Sequence, residues 1–165
     1  MLANFICNKL GMKTAYIELN TTNQICALSQ TRGKHSFPYK GIVFYPNTLV
    51  TSLPEILRNN YQYFILDMGV LNTYTTSEFL RCDKQFLICS QSKWRYSQIK
   101  EKVDKLMKKN HDTNCIQLIM NLSKKESCFH ISSQSCEQFF IPFIPNPFQL
   151  EPKHFNVFSL LLRNL

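Results

Sequence analysis

The sequence predicts an α/β fold, a mainly parallel sheet with helices on both faces. Three observations carry that expectation. The stretch Tyr61-Gln62-Tyr63-Phe64-Ile65-Leu66-Asp67-Met68-Gly69 is an apolar and aromatic run that ends in a lone carboxylate and then a glycine. Such a pattern belongs to a strand covered on both faces in the middle of a parallel sheet. Strand-like runs alternate with helical spacings and are mostly joined by connections of crossover length. Finally, Ser92 to Asn110 sets Trp94, Ile99, Val103, Leu106 and Met107 on one stripe with lysines opposite, which is the clearest amphipathic helix in the chain.

The remaining elements follow in order. Leu2, Phe5, Ile6 and Leu10 have helical spacing, and Gly11 is a natural stop. Lys13 to Leu19 reads as a strand that leaves Glu18 and Asn20 near its carboxyl end. Thr21 to Lys40 is polar and irregular, with a short helical turn at Ile25 to Ser29. Gly41 to Tyr45 is a β-branched and aromatic strand stopped by Pro46. Thr51 or Ser52 can cap a helix running to about Asn59, with Pro54 in its first turn and Glu55 near its positive end.

After the Asp67 strand, Asn72 to Thr76 is expected as a loop, Ser77 to Arg81 as a brief helix and Lys84 to Cys89 as a buried strand. Beyond the long helix come a strand at Cys115 to Met120 ending at Asn121, and a polar stretch over 123–137 with room for a short helix. A last strand at Phe139 to Ile144 is broken by Pro142. A helix from Pro152 to Leu165 carries Phe155, Phe158, Leu161, Leu162 and Leu165 on one face. No repeat or low-complexity linker divides the chain, so residues 1–165 are expected to form one domain.

A chain of 165 residues with 44% hydrophobic content can bury a genuine core. It has no apolar stretch long enough to span a membrane and no recognisable signal peptide at Met1. Its seven cysteines form no C-x-x-C pair and sit mostly in apolar runs, as buried thiols do in a reducing cytoplasm. Neither they nor the four histidines show zinc-ligand spacing. The net charge of +8 gathers at Lys93, Arg95, Lys100, Lys102, Lys105, Lys108 and Lys109. Such a segment is either the solvated face of a helix or an attraction for nucleic acid or an anionic membrane surface.

Asp67 stands where open α/β sheets place their ligands, at the carboxyl end of a strand. A carboxylate there suits a magnesium–phosphate site, because Mg²⁺ takes oxygen ligands and usually binds through one or two carboxylates plus substrate phosphates. It equally suits a cap on the following turn. Residues alone leave both readings open.

Several stretches together resemble one known family. LANFICNKLGMKTAYIELN is similar to the end of the first helix and the second strand of the MinD/ParA (SIMIBI) deviant P-loop ATPases, and YQYFILDMG to their Walker B strand. CDKQFLICSQSKWRYSQI resembles the next strand and helix, IQLIMNLS the strand whose closing Asn lies near adenine, and IPFIPNPF the late proline-containing segment. The resemblance implies Asp67 as the Walker B residue that holds Mg²⁺ through water and Asn121 as the base-contacting amide. Glu18 and Asn20 fall on the family's two acidic positions after the second strand. An amide at position 20 cannot take a proton or bind a cation as a carboxylate does, which argues against hydrolysis.

The family's first strand and phosphate loop have no counterpart here. Only four glycines occur, at 11, 33, 41 and 69, and no G-x-x-x-x-G-K-[ST] passes through them. Phosphate binding in such folds rests on that loop's amides, a lysine and the helix N-terminus, so the chain as written is expected to bind ATP poorly or not at all. Either Met1 is an internal methionine and about 20 more residues, a strand and a loop, precede it, or the protein is a degenerate relative. The family's ATP and Mg²⁺ would belong to the longer form.

The functions these readings allow differ in class. One is a non-catalytic positioning or assembly protein of the cytoplasm, TadZ/CpaE-like in pilus assembly, working as a homodimer or on a protein partner. Another is a fragment of an active ATPase. A third is non-specific DNA binding through Lys93 to Lys109. Peripheral membrane attachment through the C-terminal helix is the weaker alternative to packing of the same face, since only Lys153 and Arg163 charge its polar side.

Overall fold

The helical spacing of the first residues does build a helix, α1 (Leu2–Asn4), which widens into a π-helical turn at Phe5–Lys9. Its last turn closes through Leu10 N–H to Phe5 C=O at 3.2 Å. Gly11 then leaves at φ 72°, a left-handed conformation that glycine adopts without steric cost. The computed structural model describes residues 1–28, 35–89, 96–109, 116–121 and 137–163. They form two compact units, Met1–Phe79 with Asn146–Glu151, and Leu80–Pro145 with Pro152–Leu165.

In the first unit β1 (Thr14–Glu18), β2 (Phe37–Tyr39), β3 (Ile42–Tyr45) and β4 (Tyr63–Asp67) form one sheet in the order β2-β3-β1-β4. β1 is parallel to both neighbours, with Tyr16 beside Phe44 and Ile65, and Glu18 beside Asp67. Ala15 and Ile17 are fully buried, as central-strand residues should be. On one face Ala3, Ile25, Phe37, Ile42 and Phe44 form a cluster against which Tyr16, Tyr39, Ile65 and Phe148 pack. The Asn4 side chain adds a tether, donating to Pro147 C=O at 3.1 Å.

Three expectations for this unit are corrected. Thr21 to Lys40 is not wholly irregular: besides a 3₁₀ turn at Gln24–Leu28 it holds β2, antiparallel to β3. Pro38 hid that strand, yet on an outermost strand a missing N–H costs no ladder bond. β4 is not interior to its sheet. Among the described residues it pairs with β1 alone, and all five of its residues are half-buried. Helix α2 (Leu53–Leu57) follows a 3₁₀ turn at Val50–Ser52 and has Pro54 in its first turn, but the Ser52 hydroxyl makes no capping bond.

Helix α3 (Thr73–Leu80) begins four residues earlier than Ser77, inside the expected loop. Asn72 starts it: its Oδ1 accepts from Tyr74 N–H at 2.9 Å and Thr75 N–H at 3.0 Å, while Asn72 N–H donates to the Thr75 hydroxyl at 3.2 Å. These reciprocal bonds satisfy donors that every helix start leaves open. Asn72→Ala should cost about 1 kcal/mol, lowering the thermal midpoint by about 2–4 °C when followed by circular dichroism.

In the second unit β5 (Gln85–Cys89), β6 (Ile116–Asn121) and β7 (Gln138–Ile141) are parallel in that order. Helix α4 (Tyr96–Lys109) buries Val103 against Cys89, Leu118 and Met120, with Ile99 beside them. β7 ends at Ile141, directly before Pro142. The polar stretch 123–136 and Trp94 lie outside the described residues. A 3₁₀ turn at Pro152–His154 opens α5 (Phe155–Leu161), which buries Phe158 and Leu161. Two members of the face considered for membrane attachment are thus already packed. Lys84 Nζ donates to Arg163 C=O at 2.8 Å just beyond that helix, where a cation complements the free carbonyls.

Candidate functional site

Parallel pairing decides what meets at the carboxyl ends of β1 and β4. Residues on neighbouring parallel strands that share a register position point to the same face, so Tyr16, Glu18, Ile65 and Asp67 lie on one side of the sheet. Asp67 is drawn inward rather than left open. One carboxylate oxygen, Oδ2, accepts from the Tyr16 hydroxyl at 2.6 Å, and the other, Oδ1, accepts from Gly69 N–H at 3.0 Å. Burial, then the bond to Asp67 and its charge, push the Tyr16 phenol far above its usual value. It therefore stays protonated, as a donor must.

Asn20 closes the same corner. Its Nδ2 donates to Asp67 C=O at 3.1 Å, and its Oδ1 accepts from Thr22 N–H at 3.0 Å. The Gly69 backbone has φ 57°, and a Cβ there would come within 3.0 Å of the Asn20 Cβ. Glycine is thus required twice over at this turn, by conformation and by contact.

Glu18 is wholly buried. Its Oε1 accepts from Gln24 N–H at 2.9 Å and from the Thr22 hydroxyl at 3.3 Å, its Oε2 accepts from Asn47 N–H at 3.1 Å, and its carbonyl accepts from Thr48 N–H at 2.8 Å. Asn23 and Asn47, at φ 57° and 44°, take the left-handed turns that aim these amides. Asparagine tolerates that conformation better than most residues. A buried carboxylate is stable when main-chain donors meet its oxygens, and here they join the loop after β1 to the loop after β3.

Three of the four candidate residues, Glu18, Asn20 and Asp67, therefore come together at the carboxyl ends of β1 and β4. Asn121 is the last residue of β6, in register with Ile141 of β7 in the second unit. Tyr16, Thr22, Asn47 and Gly69 were missed as members of the cluster. The period of a strand, which puts Tyr16 on the face of Glu18, was the one signal that could have pointed to it. Of the basic segment, Lys93 and Arg95 lie outside the described residues, while Lys100, Lys102, Lys105, Lys108 and Lys109 belong to α4. Lys105 pairs with Glu101 at 2.6 Å across one helical turn, in full view of solvent.

Mg²⁺ takes oxygen ligands, from carboxylates directly or through the waters it keeps. No oxygen of Asp67 or Glu18 is free of an internal donor, which sets both carboxylates against a directly bound magnesium ion.

No protein-family model and no curated protein matches the sequence. Solved structures do match the fold. A plasmid partition protein from Borrelia burgdorferi superimposes with a TM-score of 0.71 at 15% identity, over 99% of this chain and 90% of its own. A putative plasmid partition protein from Borrelia burgdorferi B31 bound to AMPPNP gives 0.68 at 14%, over 98% and 87%. The MinC:MinD cell division protein complex of Aquifex aeolicus gives 0.55 at 17%, over 97% and 79%. Parallel strands, an acidic residue closing β4 and these superpositions lead to one statement: the chain has the fold of the ParA/MinD-type P-loop ATPases.

Proposed function

We propose that this chain is a non-catalytic protein of the ParA/MinD type that acts in positioning or assembly inside the cytoplasm, through dimerisation and binding of a protein partner. A TadZ/CpaE-like role in pilus assembly is the narrower form of the same reading. One observation carries it: the carboxylates that would serve a nucleotide and its cation, Asp67 and Glu18, are held by hydrogen bonds within the chain. The carboxyl ends of β1, β3 and β4 are then a preformed surface, available without a bound nucleotide. A partner-bearing relative supports the second half of the reading, since one similar structure is a MinC:MinD complex.

Calorimetric titration of Mg-ATP and Mg-ADP, together with light scattering of the eluted protein, tests this. The expected outcome is no binding heat and a dimer whose mass is the same with and without nucleotide. Micromolar binding of Mg-ATP would replace the proposal with the ATPase-fragment reading, which the AMPPNP-bound partition protein favours. Binding only by a chain extended upstream would do so as well.

DNA binding is the reading favoured by the lysines of α4 and by the likeness to plasmid partition proteins. Neutralised phosphates make such affinity fall steeply with salt. A DNA shift at low salt that weakens by about ten-fold or more between 50 and 200 mM salt would support it, and no shift at low salt would remove it.

A further inference from the structure

We infer that Asp67 is a structural clasp, joining the carboxyl ends of β1 and β4, and that it does not ligate a cation in this protein. The inference rests on the functional reading above but is narrower, since it assigns this one side chain its work. Its warrant is that each carboxylate oxygen already takes a donor from within the chain. The Tyr16 hydroxyl occupies Oδ2 at 2.6 Å, Gly69 N–H occupies Oδ1 at 3.0 Å, and the Asp67 carbonyl receives Leu19 N–H at 2.8 Å and Asn20 Nδ2 at 3.1 Å. The residue thus ties the end of β1, the loop that follows it and the turn after β4 into one corner.

The Tyr16 bond is the decisive contact. A phenol donating to a carboxylate at this distance is a strong, charge-assisted hydrogen bond, formed on the half-buried face where the ring also packs at 5.4 Å from Phe44. A magnesium-bound water would have to displace that donor or take a second lone pair beside it. The ring cannot swing away without leaving the aromatic cluster. No second carboxylate stands ready, because Glu18 carries its own load of amide donors.

Mn²⁺ is a suitable probe, since its free aquo ion has a paramagnetic resonance signal that is lost on binding. With the full chain, added protein is expected to leave the free Mn²⁺ signal unchanged in the millimolar range, with and without ATP beyond what ATP alone removes. Stoichiometric loss of signal in the wild-type chain that disappears in Asp67→Asn would overturn the clasp.

Thermal melts give the second arm. Asp67→Ala and Tyr16→Phe should each lower the midpoint by about 3–10 °C, with the double variant falling well short of the sum because both remove one bond. Asp67→Asn keeps one acceptor and turns an NH₂ toward the other donor, so its midpoint should lie between wild type and Asp67→Ala. Additive losses, or no loss at all, would reject the clasp even where Mn²⁺ fails to bind. The Mn²⁺ arm on the wild-type chain needs no variant to fold. Mg-ATP binding in the calorimeter with an unchanged Mn²⁺ signal would overturn the functional reading and leave the clasp standing.

Discussion

Phe44→Ala is expected to lower stability by about 3–5 kcal/mol, the range for truncating a buried aromatic ring. At the usual conversion for a chain of this size, that is a fall of roughly 6–20 °C in the thermal midpoint. Phe44 is 3% exposed and stands at the centre of the aromatic side of the first unit. Its ring stacks on Phe37 at 5.6 Å and meets Tyr16 at 5.4 Å, Phe148 at 6.3 Å and Tyr39 at 6.5 Å. Removing it leaves a cavity lined by rings that are themselves held by strand register, so collapse into the gap is limited. Phe44→Leu keeps apolar volume and should fall less far. Urea denaturation followed by circular dichroism measures both, and a loss under about 1 kcal/mol for the alanine variant would show that the cluster is not a core.

Glu18→Ala is the second large effect. Its removal leaves the N–H groups of Gln24 and Asn47 without the carboxylate they donate to at 2.9 Å and 3.1 Å. Hydrogen bonds to a charged group contribute about 1.5–3 kcal/mol each, and leaving buried donors unmet adds to the loss. A total of about 3 kcal/mol is the conservative expectation. Hydrogen exchange gives the specific readout: the Gln24 and Asn47 amides should exchange about 100-fold faster, while those of β6 in the second unit stay as they were. Glu18→Gln keeps one acceptor and turns an NH₂ toward a donor, so it should lie between wild type and alanine. Unchanged exchange at Gln24 and Asn47 in the alanine variant would mean that the two loops hold without Glu18.

Much of the fold was legible because periodicity reports burial. Ile17, Leu118 and Ile119 sit in apolar runs that a covered strand explains, and β1, β3, β4, β5 and β6 fall on the strand-like runs of the sequence. Two elements were hidden for local reasons. β2 is a three-residue strand containing Pro38, too short for a pattern and marked by a residue that usually ends strands. The start of α3 was obscured by its threonines, although Asn72 and Thr75 had capping-box spacing. The carboxyl-end cluster was half legible. Glu18, Asn20 and Asp67 were singled out by their places at strand ends, but nothing in their spacing told what they would bind.

Sequence alone determined where most of the strands lie, that they run mostly parallel, and that acidic and amide side chains close β1 and β4, because these follow from residue order and the two-residue period of a strand. Tertiary structure decided what those side chains do. Tyr16 and Asp67 are 51 positions apart, and Glu18 and Asn47 are 29 apart. Only strand pairing brings such groups within hydrogen-bond reach, and a carboxylate's role depends on which donors arrive at its oxygens.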